Sequence, residues 1–294
     1  MSSELIQIAH QDCSAQIALQ GAELRSWQVA GEHLLWRGDP ATWPRSSPVQ
    51  FPLVGRLVNA QALHGGLVRP MNIHGFAREQ AFQLIEHSAS LARLRLVANE
   101  ASRHCWPYDF ELELRYEVIA SGLAITMTVT NPGTVSMPYS IGLHPGFCWP
   151  VGTRDAHGHQ IEFEQPEDAQ VPVIDDKGML TAAQRSVPLR EGRFLPLSHA
   201  CFSGDALIFQ NARSSRIRLR APDGSAIAVQ AEGFGNWAIW NRPPAAFVCL
   251  EAWAGMPDRA DWSGEFSDRP DTRWLKAGQQ REHRLRFLRE SAVS

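Results

Sequence analysis

The sequence predicts an all-β protein, one large antiparallel β-sandwich domain spanning residues 1–294. Three observations carry that expectation. Apolar and polar residues alternate with period two in several segments, helical periodicity is scarce, and 19 prolines and 22 glycines punctuate the whole chain. Alternation places successive side chains on opposite faces of a strand, and frequent Pro and Gly favour turns over long helices.

Taken in order, AQIALQ (15–20) and ARLRLVAN (92–99) are short apolar and β-branched runs between turn signals. FELELRYEVI (110–119) sets Phe110, Leu112, Leu114 and Tyr116 against Glu111, Glu113, Arg115 and Glu117, the pattern of a strand with one wet face. LAITMTVTN (123–131) repeats it with Thr126, Thr128 and Thr130, and ASG (120–122) joins the two as a tight hairpin. The stretch 165–195 is the most polar. It reads as a surface excursion and not a domain boundary, because strand-like patterning resumes on both sides. In RSSRIRLR (213–220), Ile217 and Leu219 alternate with Arg216, Arg218 and Arg220, which fits a half-exposed strand. FVCLEAW (247–253) opens apolar on both faces and is expected to be buried on both sides. At about 5–6 residues per strand, the fold needs roughly fifteen strands or more.

Bulk properties exclude several classes. A net charge of −3, with acids and bases interspersed, offers little attraction for nucleic acid or an anionic membrane. No apolar run approaches the ~18–20 residues of a membrane helix. MSSELIQIAHQD at the N-terminus lacks the basic-then-apolar pattern of a secretory signal. The five cysteines are widely spaced and contain no CxxC, so neither a disulfide framework nor a structural zinc site is expected, and the protein reads as cytoplasmic. Ten tryptophans against three tyrosines are unusual. Core filling accounts for most of them, although indole faces also stack on the apolar patches of sugars.

Chemistry is expected where a titratable group interrupts a run that otherwise reads as buried. MNIHGFARE (71–79) carries His74 and Arg78, and PVQFPLVGRLVN (48–59) carries Arg56 after a glycine. In YSIGLHPGFCW (139–149) the strand must stop at His144, because Pro145 cannot continue the ladder; a strand end beside a turn is a common seat for a catalytic side chain. In AAFVCLEAWAG (245–255) Glu251 shares a face with Phe247 and Cys249. An ionised carboxylate there costs several kcal/mol to desolvate unless it is paired, with Arg56 as one candidate, or lines a wet cleft. Apolar surroundings would raise its pKa toward neutrality and suit it as a base.

The ordered set WRGDPATWPRSSPVQFPLVGRL (36–57), HGFAR (74–78), SIGLHPGF (140–147) and WNRPPAAFVCLEAWAG (240–255), followed by DWSGEF and LKAGQQREHRLRF toward the C-terminus, resembles the aldose 1-epimerase, or galactose mutarotase-like, family, in its bacterial LacX-like branch. The resemblance implies the galactose mutarotase-like supersandwich and a cofactor-free, metal-free interconversion of the α and β anomers of an aldose. Carried over by motif, Glu251 is the general base on the anomeric hydroxyl and His144 the general acid on the ring oxygen, the two being expected on opposite sides of the C1–O5 region. His74 and Arg56 hold the sugar, and Arg78 binds a hydroxyl or, in some relatives, a phosphate. The aspartate that binds sugar hydroxyls in the best-studied branch has no evident counterpart. Asn236, Trp237 and Asn241 in GFGNWAIWNRP (233–243) occupy a plausible place, with Asn236 and Trp237 preferred. The implied partner is a small-molecule sugar, free or phosphorylated.

Two other readings compete. A sandwich rich in tryptophan also suits a carbohydrate-binding protein without turnover. His74, His144 and Glu251 would make a two-histidine, one-carboxylate metal set, but they are far apart in sequence and no HxH or HExxH places two of them together.

Overall fold

A computed structural model of the chain describes residues 4–120, 122–152 and 155–292. Ser121 of the expected ASG turn and the first three residues of the N-terminal stretch lie outside them.

The alternating segments become the centre of a nine-stranded antiparallel sheet. Its order is Phe194–Pro196, Gln160–Phe163, Arg216–Arg220, Ala226–Glu232, Gln280–Glu290, Gly122–Thr130, Glu111–Ile119, Leu91–Val97, Gln83–His87. Glu111–Ile119 pairs with Gly122–Thr130 along its whole length, from Glu111 opposite Thr130 to Ile119 opposite Gly122. The period-two pattern sorts the faces: Leu112, Leu114, Tyr116, Ile125 and Met127 are fully buried. The basic run does the same. Ile217 and Leu219 point inward, while Arg218 on the wet face reaches Glu162 at 3.1 Å and Glu290 at 3.0 Å. Such pairs on a partly exposed sheet face add little stability; the inward apolar side chains supply it, at about 1.5–3 kcal/mol each.

Two further sheets cover the inner face. One holds Leu5–His10, Cys13–Ala18, Leu24–Val29 and Glu32–His33. The other runs Leu207–Phe209, Asn236–Trp240, Phe247–Ala254, Ile141–Leu143, Val49–Gln50, with Gly146–Cys148 also pairing to Phe247–Ala254. Trp27, Phe147 and Phe287, one from each sheet, meet ring to ring at 5.1–6.2 Å. This is the β-sandwich the sequence predicts. No helix is long and apolar enough to cross a membrane among the described residues. The polar excursion forms a hairpin, Gln170–Ile174 with Leu180–Ser186.

Phe247–Ala254 is the strand that positions the site. It is buried throughout, as expected. Val248, Leu250, Ala252 and Ala254 enter the sandwich core. Phe247, Cys249, Glu251 and Trp253 therefore occupy the opposite face, away from the main core.

Candidate active site

Strand register brings Glu251 and His144 together. Leu143 pairs with Ala252, and Gly146 pairs with Cys249. The same register continued across the break at Pro145 sets His144 directly opposite Glu251 on one face. His144 Nε2 lies 3.3 Å from Glu251 Oε1. The pair therefore sits side by side, not on opposite sides of a pyranose as the sequence reading expects. The reason is that both come from neighbouring strands of one sheet, where directly opposed side chains are close.

The row beside them explains the orientation of the carboxylate. Gln50 opposes Gly142, and Gly142 opposes Trp253. Because Gly142 has no side chain, the Gln50 amide and the Trp253 indole reach over it to the same oxygen. Gln50 Nε2 donates to Glu251 Oε2 at 3.0 Å, and Trp253 Nε1 donates to it at 3.1 Å. A Cβ on residue 142 would stand 2.2 Å from Gln50 Oε1 and 2.9 Å from Trp253 Cδ1. One carboxylate oxygen is thus held, and the other faces His144.

His74 is placed by backbone contacts with the segment that carries Gln50 and Arg56. It adopts φ = +62°, a region in which His is enriched among non-glycine residues. His74 N donates to Gly55 O at 2.8 Å, and Phe51 N donates to His74 O at 3.1 Å. Its Nδ1 accepts from Gly55 N–H at 3.0 Å and contacts Gln50 Nε2 at 3.0 Å. An amide N–H only donates, so Nδ1 is the acceptor and Nε2 carries the ring proton. Nε2 has no protein partner among the described residues, which leaves an N–H donor for a ligand.

Burial dominates the electrostatics. It pushes the Glu251 carboxyl well above the usual carboxylate range, against the lowering effect of Trp253 and Gln50. It pushes His144 down to about 3, with Arg78 adding to the shift. His74 is likewise held well below the ordinary imidazole value by burial, then by His144 and the nearby arginines. Both rings are therefore neutral at neutral pH. Burial and Arg45 bring Arg78 down to about 10.

These groups line a cavity of about 210 Å³. Its walls include five of the expected residues: Arg56, His74, Arg78, His144 and Glu251. Glu251 does not pair with Arg56. Arg56 is exposed at the rim, packs over Gly178, and has no carboxylate partner among the described residues. Arg78 is mostly buried, with Nε 3.5 Å from Glu79 Oε1.

Asn236 and Trp237 need correction: neither lines the cavity. Asn236 is buried and used up, accepting from Asn211 N at 3.0 Å and donating to Asp271 Oδ2 at 2.9 Å and Gly255 O at 3.2 Å. Trp237 opposes Ala252, so it enters the sandwich core, where its indole donates to Ser214 O at 2.8 Å. Asn241 is also internal, donating to Ala245 O at 3.0 Å. The indole that faces the cavity from this strand is Trp240, edge-on to His144 at 5.5 Å; Trp43 lies over the same ring at 5.0 Å.

Sequence reasoning missed Gln50 and Asp205. Gln50 is a fully buried amide inside an apolar, proline-framed run, and that was its available signal. Asp205 lines the cavity with its Oδ1 capping Ala206 N at 2.8 Å. Its signal was an acid between Gly204 and the apolar run Ala206–Phe209 in SGDALIF.

The family model described as aldose 1-epimerase matches residues 4–288. The plasmid-encoded protein LacX of Lactococcus lactis subsp. lactis is 28% identical over 278 residues, covering 90% of this chain and 92% of that protein. The crystal structure of a galactose mutarotase related enzyme from Lactobacillus acidophilus superposes with a TM-score of 0.91 at 26% identity, covering 99% of both chains. A galactose mutarotase-like protein from Lactobacillus casei gives 0.91 at 27% identity, covering 98% of this chain and 100% of that one. The fold, and a family match over nearly the whole length, agree: the chain belongs to the aldose 1-epimerase family.

Proposed function

We propose that the protein interconverts the α and β anomers of an aldose by general acid–base ring opening and closure. The observation that supports this most is the His144–Glu251 contact at the cavity wall, with one carboxylate oxygen held by Gln50 and Trp253 and the other left toward His144. Mutarotation removes a proton from the anomeric hydroxyl and delivers one to the ring oxygen. Both oxygens are bonded to C1, so an acid and a base in mutual contact can reach both from one side. Glu251 Oε1 takes the hydroxyl proton as His144 protonates the ring oxygen and the ring opens. Rotation about C1–C2 presents the other carbonyl face, and the steps reverse. The His74 Nε2–H donates to a sugar oxygen, Asp205 accepts from sugar hydroxyls, and Trp43, Trp240 and Trp253 flank the ring. A screen of anomer exchange by NMR over free and phosphorylated aldoses tests the reading. Acceleration for at least one aldose is expected; anomer-specific binding with no acceleration for any would leave a carbohydrate-binding protein instead.

The proton count makes a pH prediction. In the reactive state the pair holds one shared proton, as a carboxylic acid beside neutral imidazole or as a carboxylate beside imidazolium. A second proton goes to His144 only near about pH 3. The shared proton is lost as pH rises through the elevated value of Glu251. The kcat/KM profile is therefore expected to be flat above about pH 3 and to fall as pH rises through the raised Glu251 value. A rate that rises through the carboxylate range would instead identify ionised Glu251 beside neutral His144 as the working form.

A phosphorylated aldose is a second reading, favoured by the positive wall. Arg56 has no carboxylate partner among the described residues, and Arg78 and Arg45 are close enough to depress the His74 pKa with it. A charge-assisted hydrogen bond is worth about 1.5–3 kcal/mol. Arg56→Ala is thus expected to raise KM for the matching sugar phosphate by roughly 10–100-fold, while KM for the free sugar moves much less. Equal increases for both would restrict Arg56 to a hydroxyl contact.

A further inference from the structure

The acid–base chemistry leaves one nucleophilic group beside it unused. Cys249 is fully buried on the same face of its strand as Glu251, two residues before it, opposite Trp240 and in one buried cluster with Trp43 and Phe247. A nitrogen of His144, Cys249 Sγ and a Glu251 carboxylate oxygen all lie within 4.8 Å of one another. A tetrahedral zinc ion with bonds of about 2.0–2.3 Å holds its ligands roughly 3.5 Å apart. The imidazole and carboxylate already stand at 3.3 Å, so only the thiol must close in. His144 Nδ1 has no partner outside its own residue. The ring can carry its proton there and present the Nε2 lone pair to a cation.

We infer that His144, Cys249 and Glu251 form an inhibitory site for a thiophilic divalent cation, Zn²⁺ or Cd²⁺, entering from the cavity. Imidazole, thiolate and carboxylate together suit Zn²⁺ and Cd²⁺ and disfavour Mg²⁺ and Ca²⁺. On ligation the thiol gives its proton to bulk water and the proton shared by His144 and Glu251 follows it; electron pairs come from Cys249 Sγ, His144 Nε2 and Glu251, and water on the cavity side completes the set. The cation occupies both groups that move protons, so binding and turnover exclude each other. The site differs from the His74–His144–Glu251 set that the sequence brings to mind: His74 Nδ1 is taken by Gly55 and Gln50, and the thiol replaces it.

The inhibitory part rests on the epimerase reading; the binding part does not, and a separate experiment tests each. Cd²⁺ titration, followed by the ultraviolet thiolate-to-metal charge-transfer band, needs no turnover. The band is expected in the wild-type protein and is expected to be lost in Cys249→Ala. With an accepted aldose, Zn²⁺ is expected to suppress anomer exchange, EDTA to restore it, and Mg²⁺ to have no effect. Cys249→Ala should keep its basal rate and need about tenfold more Zn²⁺ or beyond for half-inhibition. A Cd²⁺ band unchanged by Cys249→Ala, or no band in the wild type, overturns the site. Equal Zn²⁺ sensitivity in wild type and variant overturns the inhibition.

Discussion

Glu251→Gln is expected to slow anomer exchange by about 10²–10⁴-fold, the range for loss of one positioned proton-transfer group. The substitution is nearly isosteric. A Gln side chain can still accept from Gln50 and Trp253 through its carbonyl oxygen, so the ladder and the row over Gly142 are retained. The amide also adds no charge to the buried site, where an ionised group would cost several kcal/mol to desolvate. Thermal stability is therefore expected to hold or rise while catalysis collapses. His144→Asn should give a loss of similar size, and the double variant little more, because the two groups act on one shared proton. NMR exchange rates and calorimetric melting temperatures on the same samples check the prediction. Full activity in both single variants would end the role assignment.

Gly142→Ala is expected to be the most damaging change outside the acid–base pair. The new methyl would meet Gln50 Oε1 at 2.2 Å, Trp253 Cδ1 at 2.9 Å and Ala252 O at 3.1 Å. The last is backbone in the central ladder and cannot withdraw, so the amide and indole must move away. Overpacking of this kind costs about 1–3 kcal/mol of stability. Displacing the two donors also frees Glu251 Oε2, and charge-assisted hydrogen bonds of about 1.5–3 kcal/mol each set the size of the effect. We expect a fall in kcat of roughly 10–100-fold, beyond what the melting temperature explains. Gly235→Ala is the control. Its methyl would meet only Arg273 Nη2, at 3.4 Å, and it should behave as wild type. If Gly142→Ala retains normal kcat, the row of Gln50, Gly142 and Trp253 has no part in aiming the carboxylate.

What was legible in the sequence follows from the range of each signal. Period-two alternation is local, so the strands at 110–119, 123–130 and 216–220 could be read directly. Pro145 punctuates locally too, and it marked His144 as the end of a strand. The side-by-side pairing of His144 with Glu251 depends on a register set between segments about a hundred residues apart, and no local pattern encodes it. The same limit explains Trp237. The segment 233–243 does reach the cavity, but a one-residue difference in phase decides which indole points there, and pairing with Phe247–Ala254 selects Trp240. Asp205 was overlooked because an acid in a Gly-flanked turn looks like ordinary turn chemistry. Gln50 was overlooked because a lone amide among prolines carries no sign of its distant partners.

The two-faced burial of Phe247–Ala254 has an evolutionary consequence. On its outward face Glu251 and Trp253 line the cavity, and its inward residues fill the core, so little of it is free to drift. Adaptation to a different sugar is expected at the rim, which the ladder does not fix: the tip of the 170–186 hairpin, with Ile174 and Gly178, the turn at Asp205, and the arm of Arg56. Relatives that diverge in diet are expected to differ in these connections and to agree along the ladder beneath them.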